Sequence, residues 1–323
     1  MKYREFGNTG WQVSEIGFGA WAIGGGWGSQ DDKDSVKALH RALDRGVNFI
    51  DTAAVYGGGK SERLIAQVLG ERSEKIYVAT KTPPRPGQWP PSPYCRVSER
   101  YPEDYLRRNV EERLSNLKIE CLDILQLHTW TRAWNDNPLP LEVLAKLKEE
   151  GKVRAFGIST PEHDQNSVVQ PMRSGLIDSV QVIYNIFEQE PVAELLPVAA
   201  KHGVGIIVRV VFDEGSLTGK FTKDSKFEKS DFRSTFFAGD RLTQTVDRVE
   251  KIREEVKDTG LTLPEVALKF ALANPAVSTV IPGIRNSQQA EANTGASDLP
   301  DLSDEILLKL RDHAWLRAFW YQH

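Results

Sequence analysis

Short apolar runs alternate along the chain with longer segments in which apolar residues recur at helical spacing. Eight of these runs are dense in Val, Ile, Leu and Phe instead of alternating with polar residues, which is typical of strands buried on both faces of a parallel sheet. The predicted strands cover Ile16–Ala20, Val47–Asp51, Lys75–Lys81, Leu122–His128, Val153–Ser159, Ser179–Tyr184, Val204–Val211 and Val277–Pro282.

The segments between these runs predict helices. Val36, Leu39 and Leu43 recur at helical spacing, and the pattern stops before Gly46, a residue that favours a helix C-terminus. The same periodicity runs through Leu106–Leu117, Val192–Ala199 and Val246–Val256. Eight strand–helix alternations with parallel crossovers favour an α/β fold of the (β/α)8 TIM-barrel type over an open doubly wound sheet.

The first residues predict a β-hairpin ahead of the barrel. Lys2–Phe6 and Gln12–Glu15 flank the turn residues Asn8, Thr9 and Gly10. We expect this hairpin to lie under the barrel as a plug. Because no low-complexity segment or sharp change of composition divides the chain, residues 1–323 are predicted to form one domain.

Three connections that follow predicted strands are longer than the usual few residues. They cover Thr82–Glu103, Thr129–Pro138 and Asp213–Asp240. The loops after the strands form the active face of such a barrel. We therefore expect these three long loops at the C-terminal face to wall a pocket.

Composition narrows the class of protein. Of 323 residues, 40% are hydrophobic and 27% charged, and the net charge is −4, which offers no footprint for nucleic acid or an anionic membrane. Two cysteines are too few for a disulfide scaffold or a cysteine-based zinc site. The start of the chain lacks the apolar run of a signal peptide, and no stretch is long and apolar enough to span a bilayer. These features predict a soluble, cytoplasmic protein.

Two glycine-rich segments match nucleotide-binding patterns only superficially. Residues 17–22 satisfy G-x-G-x-x-A, but glycines directly behind them would break the helix that this motif requires, so a close-packed strand end is expected. Residues 57–61 resemble a phosphate-binding loop, but Ala54 stands where the first glycine belongs. Ser61 is predicted to cap the helix Glu62–Leu69 instead.

Titratable side chains follow three consecutive predicted strands. Asp51 ends the second, with Tyr56 shortly after it, Lys81 ends the third and His128 ends the fourth. Each has an ordinary structural explanation on its own, such as a strand-end ion pair for Lys81. Apolar strands tolerate such groups only when they are paired or useful, so the convergence of all four at one face predicts a reactive site.

The chemistry that suits these groups is proton donation to a carbonyl. A phenol has a pKa of about 10, too high for efficient proton exchange at neutral pH. A neighbouring Lys81 ammonium is expected to lower the pKa of Tyr56, with Asp51 holding the ammonium in place. His128 would orient the carbonyl by hydrogen bonding.

At these residues the chain resembles the aldo-keto reductases, barrel enzymes that reduce carbonyls with NADPH and without a Rossmann domain. The segments FIDTAAVYG (49–57), ATKT (79–82) and LQLH (125–128) match the catalytic tetrad of the family. The resemblance runs from the hairpin to about Ala296, and it implies that Asp51, Tyr56, Lys81 and His128 are the catalytic residues.

The resemblance also implies an NADPH/NADP⁺ site. The segment GIST (157–160) and the sixth strand resemble the family's contacts to the nicotinamide carboxamide, with Thr160 in place of the usual asparagine. The segment RVVFDEGSLTGK (209–220) resembles the pyrophosphate-binding segment, and IPGIRNSQQAEAN (281–293) resembles the adenosine-phosphate motif. The implied cofactor contacts are Ala20, Trp21, Asp51, Ser159, Thr160, Gln181, Arg209, Val210, Phe212, Gly215, Leu217, Lys220, Gly283, Arg285, Gln289 and Asn293.

Two departures from the family pattern, at Arg209 and Ala292, affect the cofactor site. Arg209 stands where an aromatic ring normally stacks on the nicotinamide, and a guanidinium plane in that place adds a positive charge beside the ring. Arg285 is the natural partner of a 2′-phosphate and favours NADPH over NADH. Against this preference, Ala292 replaces the glutamate that often contacts the adenine, and Glu291 lies one position early.

Aromatic residues in the loops define a pocket without identifying its substrate. Trp21, Trp89 and Trp130 are predicted to line the substrate pocket, while Trp89, Tyr94, Trp130 and Trp134 each have the alternative of packing a loop onto the barrel rim. The tail formed by Trp315, Phe319, Trp320 and Tyr321 would either fold over the barrel or form an oligomer contact. The remaining histidines show no metal-ligand spacing, so no metal site is predicted.

The sequence therefore predicts an NADPH-dependent reductase of aldehydes or ketones, sugar-like carbonyls included. The alternative is a cofactor-binding, redox-sensing regulatory subunit with slow turnover, since some relatives act mainly as partners of channels. A third and weaker interpretation, another barrel enzyme such as an isomerase or lyase, implies no nicotinamide binding. The natural substrate and the oligomeric state stay open.

Overall fold

The computed structural model describes residues 1–25, 30–229 and 231–317. The chain opens with an antiparallel hairpin of β1 (Tyr3–Glu5) and β2 (Gln12–Ser14). Eight parallel strands follow in one sheet whose spatial order is their order along the chain. They are β3 (Phe18–Gly19), β4 (Phe49–Asp51), β5 (Tyr77–Thr82), β6 (Leu122–Leu127), β7 (Val153–Ser159), β8 (Ser179–Ile183), β9 (Gly205–Arg209) and β10 (Thr279–Val280).

Helices connect the strands and cover the outside of the sheet. They are α1 (Asp32–Asp44), α2 (Lys60–Gly70), α3 (Val97–Arg100), α4 (Glu103–Leu117), α5 (Leu139–Glu149), α6 (Val169–Arg173), α7 (Leu195–His202), α8 (Arg233–Phe236), α9 (Arg241–Val256), α10 (Leu263–Leu272), α11 (Ser287–Gly295) and α12 (Asp304–Arg311). No helix within the described ranges is long and apolar enough to cross a membrane.

Backbone contacts between the first and last strands close the sheet into a barrel. Gly17 N donates to Val280 O at 2.8 Å, and Gly19 N donates to Pro282 O at 3.0 Å. A Cβ at Gly19 would lie only 2.6 Å from Ile281 O, so this approach requires glycine. The close-packed strand end expected for residues 17–22 is confirmed, as is the barrel.

The hairpin plugs the N-terminal end of the barrel, as predicted. Phe6 is fully buried in a cluster with inward-facing residues of the strands, among them Phe49, Ala79 and Ile207. Asn8 N donates a hydrogen bond of 2.8 Å to Gly203 O, just before β9. The opposite, C-terminal ends of the strands therefore remain accessible for a functional site.

All eight predicted strands exist, although most are shorter than their apolar runs. The predicted cap of α2 does not hold, because Gly59 precedes the helix and Ser61 lies inside its first turn. Ser61 is fully buried, accepts a hydrogen bond from Thr52 Oγ1 at 2.8 Å and donates to Ala20 O at 3.2 Å. The expected N-cap is wrong because this hydroxyl joins the helix to two strand ends.

Candidate active site

A cavity of about 360 Å³ opens at the C-terminal ends of the strands, within the range of small-molecule pockets. Two of the three long loops contribute to its wall, through Trp89 from the first and Glu214, Gly215 and Phe232 from the last. Among the described residues that line it, none comes from the loop 129–138, so the expectation that this loop walls the pocket is wrong.

Asp51 and Lys81 form a buried ion pair at the floor of the cavity. Lys81 Nζ donates to both Asp51 carboxylate oxygens at 2.7 Å and to Thr52 O at 2.8 Å. Both side chains are almost fully buried, and their strands, β4 and β5, pair directly in the sheet. Three good acceptors around one ammonium fix its position.

Tyr56 and His128 complete the predicted group of four. Lys81 Nζ lies 3.4 Å from the Tyr56 hydroxyl, and the rings of Tyr56 and His128 meet edge to face with centroids 6.3 Å apart. Tyr56 lies in the turn after β4, and His128 N donates to Thr82 O at the end of β5. Asp51, Tyr56 and His128 line the cavity, while Lys81 lies directly behind them.

Burial controls the proton affinity of these groups. Burial raises the pKa of Tyr56 above its usual value; Lys81 opposes this effect and Asp51 adds to it. The expected net lowering of the Tyr56 pKa is therefore wrong, although Lys81 acts in the expected direction. Burial, with the Lys81 and Arg209 charges, lowers the pKa of His128 to about 3, so its imidazole is neutral at physiological pH.

Side chains from β7 and β8 form the wall where the resemblance implies the carboxamide contacts. Ser159, Thr160 and Gln181 all line the cavity. Gln181 Nε2 donates to Asp51 Oδ1 at 2.6 Å, and Thr160 N donates to Gln181 O at 2.9 Å. This wall is thus joined directly to the buried ion pair.

Arg209 ends β9 and lines the cavity beside this wall. Its Nη2 donates to Thr160 O and to Glu162 Oε1, both at 3.1 Å, while its Nε is shielded from solvent and has no hydrogen-bond partner. The sequence pattern did not indicate Glu162 as the carboxylate that pairs with Arg209. Only spatial proximity after folding identifies it, since the two residues lie on different strand-to-helix connections.

The backbone after Arg209 is unusual. Val210, Asp213 and Glu214 have φ values of 56°, 48° and 55°, a region that non-glycine residues rarely occupy, and Gly215 follows with φ 96°. Such conformations cost energy and occur mainly at ligand clamps and active sites. Asp213 anchors the turn by accepting a hydrogen bond from Ser216 Oγ at 2.7 Å and pairing with Arg317 at 2.5 Å.

The residues implied for the cofactor divide into two groups by position. Trp21, Asp51, Ser159, Thr160, Gln181, Arg209, Val210, Phe212, Gly215 and Gly283 line the cavity. The described cavity wall does not include Ala20, Leu217, Lys220, Arg285, Gln289 or Asn293. Ala20 and Leu217 are buried, and Lys220 is exposed.

The segment 281–293, which resembles the adenosine-phosphate motif, extends beyond this wall into α11. Gln289 Oε1 accepts a hydrogen bond from Arg285 N at 2.8 Å, and the Asn286 side chain caps the helix by accepting from Gln289 N at 2.8 Å. Arg285 Nε donates to Gln30 Oε1 at 2.9 Å. The cationic residue Arg285 and the N-terminus of α11 are thus close in the chain, and both features favour the binding of an anionic phosphate.

Of the three predicted pocket aromatics, two lie on the cavity wall and one does not. Trp21 lines the cavity edge to face with Phe232, and half-exposed Trp89 stands at its mouth. Trp130 is fully buried: its indole N–H donates to Asn135 Oδ1 at 2.7 Å, and it packs against Trp134. Placing Trp130 in the substrate pocket is therefore wrong, because it anchors its own loop.

Tyr94 and Trp315, the other aromatic residues considered for the pocket or the tail, do not line the cavity. Tyr94 is almost fully exposed and lies outside the cavity wall. Trp315 packs edge to face on Phe187, and its main-chain N donates to Phe187 O at 2.8 Å. The rest of the predicted tail, Phe319, Trp320 and Tyr321, lies outside the described residues.

Comparison with known proteins decides the family. Residues 15–314 match the family model described as the aldo/keto reductase family. The chain belongs to the aldo-keto reductases. These are oxidoreductases that use a nicotinamide cofactor. Aldo-keto reductase YhdN of Bacillus subtilis is 30% identical over 302 residues, covering 90% of this chain and 87% of its own length.

Further relatives span almost the whole chain. The NADH-specific methylglyoxal reductase of Escherichia coli is 29% identical, with 97% of this chain and 98% of its own covered. A probable voltage-gated potassium channel subunit beta of Arabidopsis thaliana is 29% identical, with 95% and 94% covered.

Solved aldo-keto reductases share the fold. The glycerol dehydrogenase of Gluconobacter oxydans superimposes with a TM-score of 0.80 at 28% identity, over 97% of this chain and 94% of that one. The holo form of an aldo-keto reductase from Bacillus halodurans superimposes with a TM-score of 0.77 at 27% identity, over 100% and 99%.

The residues present fit a nicotinamide dinucleotide. Ser159 and Gln181 present hydroxyl and amide groups at the cavity wall, and Gly215 of the strained turn also lines the cavity. Two shielded polar atoms of the wall residues, Arg209 Nε and Glu214 Oε2, have no hydrogen-bond partner within the described structure. Buried polar atoms in this condition are expected where a ligand completes the site.

Proposed function

We propose that the protein is an NADPH-dependent reductase of aldehydes or ketones, sugar-like carbonyls included. The observation that carries this proposal is the position of Tyr56. Its hydroxyl lies 3.4 Å from Lys81 Nζ, at a cavity wall, and the ammonium is itself held by both oxygens of Asp51. A phenol next to a fixed cation is suited to give a proton to a carbonyl oxygen and to remain briefly as a stabilised phenolate.

The other residues prepare this proton transfer. Lys81 stabilises the phenolate by charge, and Asp51 keeps Lys81 charged and oriented. His128 is neutral, because its pKa is lowered to about 3, and can donate one ring N–H to the substrate carbonyl without competing as an acid. The cofactor, when bound, supplies hydride to the carbonyl carbon. Ser159, Thr160 and Gln181 would orient its carboxamide.

The preference for NADPH rests on Arg285. Arg285 lies two residues before α11; its main-chain N donates to Gln289 Oε1, and its guanidinium Nε donates to Gln30 Oε1. A guanidinium binds a phosphate through paired hydrogen bonds, which would favour the cofactor with a 2′-phosphate. The Escherichia coli relative is named as specific for NADH, so this preference requires a direct measurement.

A second candidate function is a cofactor-binding regulatory subunit. It is favoured by the 29% identity to a protein named as a probable potassium channel subunit beta. Against it, the four groups that suit carbonyl reduction are all present and mutually oriented. Fast turnover of any carbonyl would support the enzyme, whereas tight cofactor binding with slow turnover of every carbonyl would support the regulatory subunit.

The test is an NADPH-oxidation screen across aldehydes, ketones and sugars, with NADH measured in parallel. Cofactor binding is recorded separately by quenching of tryptophan fluorescence, which is suitable because Trp21 and Trp89 line the cavity. We expect NADPH to bind and at least one carbonyl to be reduced, with Tyr56→Phe binding NADPH but not turning over. Failure to bind either cofactor would exclude the proposed function.

A further inference from the structure

Glu214 is a titratable group in the cavity wall that the proposed chemistry does not use. It lies in the strained turn between Asp213 and Gly215 and is one of the residues that line the cavity. Its Oε2 is shielded from solvent and accepts no hydrogen bond within the described structure. A carboxylate left in this condition is unfavourable, which makes a bound ligand or a proton its natural partner.

The charges around Glu214 do not neutralise it. Asp213 and Glu162 are both negative, and each already has an arginine partner, Arg317 and Arg209 respectively. Arg233 is the first residue of α8, and its guanidinium pairs with Asp231 through several hydrogen bonds. Burial and the Asp213 charge raise the pKa of Glu214 to about 7, while Arg209 and Arg233 act in the opposite direction.

We propose that Glu214 couples cofactor binding to proton uptake by meeting the cofactor diphosphate as a neutral carboxylic acid. The inference rests on the proposed function and on the resemblance of residues 209–220, which include Glu214, to the pyrophosphate-binding segment of the family. A neutral acid donates an O–H hydrogen bond to a phosphate oxygen, whereas a carboxylate has only acceptors and repels it. The proton comes from solvent and adds to a carboxylate oxygen, and no bond of the cofactor changes.

The coupling has a defined size. Because the pKa of Glu214 is about 7, the carboxyl is half-protonated at pH 7, and binding should take up about half a proton there. Cofactor affinity should fall about tenfold between pH 6 and pH 8 as the carboxylate form becomes dominant. Replacement by Gln keeps the shape and a donor group but removes the titration.

The experiment measures cofactor binding by calorimetry in two buffers that differ in their heat of ionisation, at several pH values from 6 to 8.5. Wild type, Glu214→Gln and Glu162→Gln are compared with NADPH and with NADH. The 2′-phosphate of NADPH also titrates in this range, so the difference between wild type and Glu214→Gln is the quantity of interest. Glu162→Gln removes another carboxylate from the same wall and serves as the control. Because the Glu162 charge contributes to the raised pKa of Glu214, this variant should keep the proton uptake with its midpoint at lower pH.

We expect wild type and Glu162→Gln to take up protons on binding. Glu214→Gln should lack the part of the proton uptake that comes from Glu214, and it should still bind the cofactor tightly above pH 8. Equal proton uptake and equal pH dependence in wild type and Glu214→Gln would overturn the inference. So would a folded Glu214→Gln protein whose binding is weaker by the same factor at every pH, since Glu214 would then act as a plain acceptor. Binding of neither cofactor by wild type would refute the proposed function itself.

Discussion

The buried pair of Asp51 and Lys81 offers a test of how the site is held together. Asp51→Asn keeps the shape of the side chain but removes the charge opposite a fully buried ammonium. Lys81 Nζ would keep Thr52 O and one amide oxygen, and it would lose one of its two acceptors on residue 51. Breaking one partner of a buried ion pair costs about 3–5 kcal/mol, because the other charge is left uncompensated.

The matched control is Asp123→Asn at the other end of the barrel. Asp123 pairs with Lys75 and Arg154, both half-exposed, so solvent can replace the lost partner. Urea unfolding of both variants should show a loss near 3 kcal/mol or more for Asp51→Asn and about 1 kcal/mol for the control. A loss below about 1 kcal/mol for Asp51→Asn would contradict the ion-pair reasoning, because it would mean that Lys81 already sheds its proton or reaches water.

The remaining predictions concern the reaction and the cofactor. Tyr56→Phe should retain NADPH binding but lose about 10²–10⁴-fold in kcat, and steady-state kinetics within about twofold of wild type would remove Tyr56 from the mechanism. Arg285→Ala should weaken NADPH binding by about 1.5–3 kcal/mol and leave NADH nearly unaffected; equal losses in titrations of both cofactors would show that it does not contact the 2′-phosphate. If the Arg209 plane packs on the nicotinamide, Arg209→Tyr should reduce the preference for NADPH over NADP⁺, by less than the roughly 1 kcal/mol expected for a lone cation because Glu162 pairs with the guanidinium. Calorimetry of both redox forms measures this ratio, and an unchanged value would show that Arg209 points away from the ring.

The barrel was predictable because its signal is local. A strand buried on both faces must be apolar over its whole length, and a helix on a barrel must be apolar on one side, so both appear in short windows of sequence. The run Val153–Ser159 coincides with β7 residue for residue. Other runs overshoot their strands at the ends, where pairing stops although the side chains remain buried. β10, for example, ends before Pro282, which has no N–H to donate.

The four residues of the candidate site were predictable for a related reason. Strand ends in a parallel barrel meet at one face, so position in sequence determines position in space for Asp51, Lys81 and His128. Loop side chains have no such constraint. Trp130 and Trp89 both follow strands and have the same chemistry, yet Trp130 is buried in its own loop and Trp89 stands at the cavity mouth.

Pairings between loops depend on the folded arrangement of several connections at once. Arg209 ends β9, whereas Glu162 follows β7, and their contact requires the intervening strand β8 to bring both connections to one side. The pairing matters for chemistry because the Arg209 charge lowers the pKa of Glu214 and the Glu162 charge raises it. Burial and Asp213 have the larger effect on the pKa of Glu214, and Arg209 and Glu162 adjust it from two connections that no local pattern in the sequence brings together.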